Sequence, residues 1–307
     1  MIKTKEEIRK KQILGGIIIM VAAFFWGISG TIIKFMFNQS VDPIKLVNMR
    51  LNLSALIGFT VLIIFSRKRL KVTRAQLKHF AIFGIFGITG VQTTYYYTVS
   101  VLNVSMAVFL QFTAPILVVL YCMIFEKEKM TVVKGLSLTI ALVGSSLIIF
   151  GSGAGIGKLS GIGIFTGIMS SVFCAFYYIY GKKCTNKYDS WTVLIFSLGF
   201  GALLYWFVSP PWVLWPTVTM KEFLLALYIA IFATLLPFGL YLLGLRYLLS
   251  STASIIAMLE PVVASLSAFI VLGEAMGVFQ ILGAVAVMGA VLALQIDPWG
   301  QEPRVKD

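Results

Sequence analysis

Of the 307 residues, 59% are hydrophobic and 12% charged, and 25 Lys and Arg against 12 Asp and Glu leave a net charge of +13. A soluble domain holds about 45–50% apolar and about 25% charged residues, so a soluble enzyme, a nucleic-acid binder and a secreted disulfide scaffold are excluded. About ten membrane helices of about 20 residues each would absorb the apolar excess.

Residues 1–12 are polar, with five basic side chains. The apolar runs then follow in order: Ile13–Phe37, Ile44–Phe65, Leu77–Leu102, Val104–Phe125 and Thr131–Phe150, then Leu159–Gly181, Trp191–Val208, Phe223–Leu245, Thr252–Leu272 and Val278–Ile296. Each is long enough to cross about 30 Å of hydrocarbon at about 1.5 Å per residue. Lipid cannot satisfy a free backbone N–H, so each run is predicted to be a helix. The first run is too long for a signal-peptide core and lacks a small-residue cleavage pattern, so it is read as a retained span. With the N-terminus inside, twenty of the 25 basic residues fall on the inner side, which predicts a plasma-membrane protein with both termini cytoplasmic. Lys34, Lys45, Lys158 and Lys221 remain outside, and Trp212 and Trp215 suit the outer interfacial belt.

The segment Gly151–Lys158 resembles a phosphate loop. Ser152 stands where that spacing needs Gly, and Leu159 where it needs Ser or Thr, so the segment reads as a Gly-rich linker, residues 151–158. Cys122, Cys174 and Cys184 read as packing residues, and His79, without a second ligand, as a solvated side chain. No cofactor is expected.

An internal repeat organises the chain. At an offset of 146, Leu102 aligns with Leu248, Ala107 with Ala253, Pro115 with Pro261 and Tyr95 with Tyr241. The chain therefore divides into a first repeat (13–150), a second repeat (159–296) and a cytoplasmic tail (297–307). Five spans per repeat is odd, so the second copy enters the membrane from the opposite side. The predicted fold is all-α: ten transmembrane helices in two inverted five-helix repeats.

Glu260, in the ninth span beside Pro261, is the sharpest functional candidate. An ionised carboxylate at the bilayer centre costs about 2.5–3.5 kcal/mol, so such a residue faces a cavity, pairs with a cation or takes a proton. Ala253, Ala257, Glu260, Ala264 and Ser267 form a small, polar stripe at helical spacing. Arg50, early in the second span, is an anion contact or a gate pairing with Glu260, or else a structural charge that snorkels or caps a helix at the outer end. Trp26 and Ser29, Gln92 and Tyr95–Tyr97, Gln111, Tyr177 and Tyr178, and Tyr241 lie inside spans. Of these, Trp26, Ser29, Tyr95, Gln111, Tyr177 and Tyr241 join Glu260 as candidate substrate contacts, since Tyr and Trp offer apolar area, a polar tip and a face for cations. Pro115, Pro237 and Pro261 are candidate kinks. Gly84, Gly87, Gly90, Gly163 and Gly167 allow close helix approach. Glu126, Glu128 and Glu274 read as helix-end pairs.

The ten spans, the paired halves, Phe25–Lys34 (FWGISGTIIK), Arg50 and Leu259–Glu274 (LEPVVASLSAFIVLGE) resemble the EamA family of the drug/metabolite transporter superfamily. The resemblance implies a metabolite carrier with alternating access, often an exporter. It implies a central cavity lined by the first, third, fourth, sixth, eighth and ninth spans, with amino acids and small amphipathic metabolites as cargo. Ala114 departs from the pattern, standing where the second half has Glu260. The expected partners are a small-molecule substrate, the lipid bilayer and protons, with no nucleic acid. The expected function is a secondary transporter of exporter type for an amino acid or a related amphipathic or cationic compound. The alternatives are an intramembrane lipid-modifying enzyme, against which one His and one central carboxylate argue, and a channel, for which no pore loop is found.

Overall fold

The computed structural model describes residues 5–38, 42–152, 160–273 and 275–296, with the backbone alone at 5, 31–38, 43 and 272. Lys34, Lys158, most of the Gly-rich linker, Glu274 and the tail, all singled out from the sequence, therefore lie outside the described residues or side chains. The described chain is helical. In the first half α1 is Lys5–Asn38, α2 Pro43–Phe65, α3 Arg74–Ile82, α4 Gly90–Val101, α5 Val104–Gln111, α6 Ala114–Phe125 and α7 Val132–Gly151. In the second, α8 is Gly161–Thr185, α9 Ser190–Val208, α10 Pro211–Leu214, α11 Met220–Tyr228, α12 Leu236–Gly244, α13 Ser250–Ala257, α14 Glu260–Leu272 and α15 Val278–Ile296.

Local chemistry fixes where helices start. Asp42 caps α2 by accepting from the Lys45 amide at 2.8 Å, Asn103 caps α5 through Met106 at 2.8 Å, and Asp189 caps α9 through Thr192 at 3.0 Å. Each side chain satisfies one of the amides that a helix N-terminus leaves without a partner. Thr73 with Gln76 and Thr219 with Glu222 form reciprocal capping boxes at α3 and α11.

Those two boxes stand 146 positions apart, and the same offset relates the breaks within spans. Wide, π-helical turns occupy Phe83–Thr89 between α3 and α4, and Ile229–Leu235 between α11 and α12. The fourth run is broken between α5 and α6, and the ninth between α13 and α14, again in register. Pro115, Pro261 and Pro237 each take the second position of the helical segment that follows a break or wide turn. Proline withholds an N–H from the carbonyl four residues earlier, which for Pro115 is Gln111 and for Pro261 is Ala257, the last residues of α5 and α13. After α6, Lys127 has φ 53°, and its repeat mate Gly273 has φ 67°.

The halves exchange partners. Helix α1 packs on α12 and α14 of the second half, and α8 packs on their repeat mates α4 and α6. Helix α7 packs along α15, where Gly144 and Gly283 bring the backbones together: a Cβ on Gly283 would lie 2.4 Å from the Gly144 carbonyl oxygen. Outward-facing Leu56, Ile64, Phe207, Ile270, Phe279 and Leu292 are exposed, an apolar exterior suited to lipid.

Among the described residues nine helices are long and apolar enough to span a membrane. The third run is the one of the ten expected that is missing from this set. It does form α3, the wide turn and α4. However, Arg74, Gln76, Lys78 and His79 crowd its start, and Gln92–Thr98 brings three Thr and three Tyr to its end, leaving a short apolar middle. His79 is half-buried rather than solvated, with Nδ1 2.7 Å from the Tyr180 hydroxyl. The three cysteines are free and buried.

Candidate functional site

The broken and widened spans enclose a cavity of about 620 Å³. Helix α1 supplies Trp26 and Ser29, α4 supplies Gln92, Tyr95 and Tyr96, and α5 supplies Gln111. Helix α8 adds Tyr177 and Tyr178, α12 adds Phe238, and α14 adds Glu260 and Ala264. Arg50 enters from α2, Ile148 and Ile149 from α7, and Gln280 from α15, so the second, fifth and tenth runs also contribute.

Glu260 is in the first turn of α14, where the positive end of the helix dipole favours a carboxylate. Gly27 makes the fit possible: a Cβ there would lie 2.8 Å from the Glu260 carbonyl oxygen, so α1 can close on this turn only through glycine. The Glu260 carboxylate is partly exposed to the cavity and has no hydrogen bond or ion pair among the described residues. The small-residue stripe is not continuous. Ala253 and Ala257 are buried in the core, while Glu260 and Ala264 line the cavity, because the break after Ala257 resets the helix face.

Arg50 neither snorkels nor meets Glu260. It is 5% exposed, and Nε donates to Thr234 Oγ1 at 2.6 Å. Its other nitrogens donate to the Ala233 carbonyl at 2.5 Å and to the Tyr96 hydroxyl. The Ala233 carbonyl lies four residues before Pro237, which has no N–H to offer it. Thr234 in turn donates to the Ile229 carbonyl at 2.9 Å across the wide turn. The guanidinium thus ties α2 to the backbone irregularity of the second half, and it also lies over the Phe238 ring, 5.7 Å from the centroid. A guanidinium has five N–H groups, so two are not used by these three bonds, and Arg50 is among the residues that line the cavity.

Two buried polar side chains on the wall have no partner among the described residues. Gln92 is 3% exposed, with neither its amide nitrogen nor its oxygen bonded, and Ser29 is 1% exposed with a free hydroxyl. Such groups are costly unless something in the cavity satisfies them. Aromatic rings form the floor: Trp26 meets Phe238 edge-on at 5.1 Å, and Tyr177 meets Phe238 at 5.3 Å.

Trp26, Ser29, Tyr95, Gln111, Tyr177 and Glu260 are thus gathered on one cavity together with Arg50. Tyr241 is not. It is 0% exposed and lies behind the floor, its ring 5.6 Å from Trp26, 5.7 Å from Tyr177 and 4.9 Å from Tyr178. Tyr95, its repeat mate, does line the cavity. Sequence reasoning missed Ser105, Phe238 and Gln280 on the wall. The repeat offset held a signal for two of them, since Ser105 aligns with Ser251 and Gln280 with Lys134. Among the described residues no group of three His, Cys, Asp or Glu is placed to hold a metal ion.

The arrangement gathers residues bearing a carboxylate, a guanidinium, an amide and a hydroxyl around one solute-sized space with aromatic walls. Comparison with known proteins gives the setting. The chain is 25% identical over 285 residues to an uncharacterized inner membrane transporter, YicL, of Salmonella typhimurium, covering 91% of this chain and 94% of that one. It is 25% identical over 269 residues to the threonine/homoserine exporter RhtA of the same species, covering 81% and 83%. It superposes on a solved crystal structure with a TM-score of 0.73 at 15% identity, over 91% of this chain and 96% of that one, which shows a shared fold. The EamA-like transporter family matches residues 5–150 and 161–295, one match for each repeat, and this multi-pass membrane protein belongs to that family.

Proposed function

We propose that the protein is a secondary transporter that exports a small zwitterionic metabolite, of the neutral amino-acid type, by alternating access. In this reading all ten runs span the membrane, the repeats are inverted, both termini are cytoplasmic and the cavity holds the solute. One observation carries it: a carboxylate without a partner, an amide without a partner and a guanidinium with spare donors share one cavity among the described residues. Glu260 takes the ammonium group, the remaining Arg50 donors take the carboxylate, and Gln92 and Ser29 bond the polar part of the side chain. Trp26, Tyr95 and Tyr177 pack against the rest, and Gln111 borders the entrance. The relative named as a threonine/homoserine exporter supports this choice of cargo.

Exchange of a proton for the substrate ammonium at Glu260 would couple export to the proton gradient. The test uses protein reconstituted in liposomes and loaded with unlabelled threonine. Labelled threonine is expected to enter by saturable counterflow, and a proton gradient is expected to drive accumulation. Glu260→Gln is expected to weaken counterflow, because the substrate ammonium loses its partner, and to abolish the gradient-driven part. Full activity with an unchanged pH profile in that variant would overturn the coupling role.

A further inference from the structure

The cavity opens at one end. Its mouth runs to the exposed residues Ser152 and Ala275, past Ser105 on α5 and Gln280 on α15. At the other end of the same spans it is shut. There Glu128, in the turn after α6, accepts from Lys134 Nζ on α7 and from Ser251 Oγ on α13 at 2.5 Å. Lys134 also reaches Ser251 Oγ at 3.3 Å and is 1% exposed. The cluster joins the first half to the second beyond the C-terminal end of α6, away from Pro115, which lines the cavity in the first turn of that helix.

The repeat makes this end comparable with the other. Ser251 is the mate of Ser105, and Lys134 is the mate of Gln280, each 146 positions apart. At the shut end α13 packs against α6 and α7. At the open end, among the described residues, its mate α5 has no comparable packing against α14 or α15, the mates of α6 and α7. Gln280 bonds instead to Ser265 at 3.3 Å and to the Gly277 amide at 2.9 Å, on its own side of the mouth. One molecule therefore displays the same joint twice, closed at one end and parted at the other. The two copies differ at one of these positions: one pairs the Lys134 ammonium with Glu128, whereas in the other Gln280 stands in place of the lysine, and Glu274, the mate of Glu128, lies outside the described residues.

We propose that the Glu128–Lys134–Ser251 cluster is the seal that must part for the cavity to open toward its own end, and that Ser105 and Gln280 close together when it does. The Lys-for-Gln difference between the copies sets the resting preference for the state seen here. The hydroxyls of Ser250 and Thr252, buried beside the seal without partners among the described residues, gain water when it opens and so ease its parting. This rests on the alternating-access reading above, and its test separates the two.

The test places a single cysteine at the cavity wall, Ala264→Cys, in a background with Cys122, Cys174 and Cys184 replaced by Ala. Membrane-impermeant thiol reagents are applied in turn from each side of sealed vesicles. The parent is expected to label at least about tenfold faster from the Ser152 and Ala275 face. Lys134→Gln, which gives the seal the side chain of its open mate, is expected to raise the opposite-face rate about tenfold and to slow the other. Lys134→Arg is expected to behave as the parent. Unchanged rates in a Lys134→Gln protein that melts as the parent does would overturn the seal and leave the transporter standing. Labelling from neither face in the parent would take down both. Should Lys134→Gln fail to fold, a Ser105→Cys and Gln280→Cys disulfide is the second arm. It is expected to form and to turn the cavity toward the Glu128 end. Its failure to form, or its forming without redirecting access, overturns the seal.

Discussion

Replacing Arg50 with Met removes three hydrogen bonds from a charged donor, each worth about 1.5–3 kcal/mol. It also removes a buried charge, whose desolvation costs several kcal/mol, so these two effects largely cancel. What remains is the fate of the acceptors. Thr234 keeps the Ile229 carbonyl as a partner, and Tyr96 lines the cavity. The Ala233 carbonyl loses its Arg50 donor, and Pro237 has no N–H to take the place. An acceptor left bare in this way costs about 1–3 kcal/mol, which is the expected net destabilisation of Arg50→Met. Pro237→Ala supplies the missing N–H. With Arg50 present that amide competes with the guanidinium, whereas in the Arg50→Met background it rescues the carbonyl. The double variant is therefore expected to recover about 1 kcal/mol relative to the sum of the singles. Thermal or denaturant unfolding of the four proteins in one detergent measures the cycle. Strict additivity would refute the reasoning, because the proline and the arginine would then not share the carbonyl.

Other expectations follow from the same geometry. A Cβ on Gly84 would lie 2.2 Å from the Ser197 carbonyl oxygen, whereas one on Gly289 would meet nothing within 4 Å. Gly84→Ala is expected to destabilise by about 2 kcal/mol or more through forced separation of the spans, and Gly289→Ala to stabilise by about 0.5–1 kcal/mol, both read by unfolding in detergent. Gln92→Met removes an amide without partners from the cavity wall. It is expected to stabilise the empty protein by about 1 kcal/mol and to weaken substrate binding about tenfold or more, read by melting with and without solute. Loss of both stability and binding would instead make Gln92 a packing residue.

Much of this architecture was written in the sequence because the lipid solvent imposes simple rules. Apolar runs of the right length became helices, and the 146-residue offset seen in Leu102, Ala107 and Pro115 reappears in every break of the second half. Glu260, Trp26 and Tyr95 stood out because a charge or a polar ring inside an apolar run needs a cavity or a partner. What stayed hidden depends on three-dimensional register. Arg50 looked like a snorkelling charge because two of its three acceptors lie over 180 residues away, on a wide turn that hydropathy does not signal. Tyr241 matched Tyr95 by position, yet the parted joint at one end places only Tyr95 on the cavity. The stripe through Ala257 and Glu260 assumed a continuous helix, and the break before Pro261 divides it. Lys134 read as an inner-side basic residue. Its burial against Glu128 and Ser251 needs α7 and α13 to meet, which no local pattern states.

Substrate protection at the wall tests the central claim most directly. Ala264→Cys labelling is measured in vesicles from the open face, with and without a saturating concentration of a solute that the same preparation exchanges by counterflow. Occupancy of the cavity between Arg50 and Glu260 is expected to slow labelling about tenfold, with half-protection at the concentration that half-saturates counterflow. Full-rate labelling while counterflow is saturated would place the transported solute elsewhere and contradict the account.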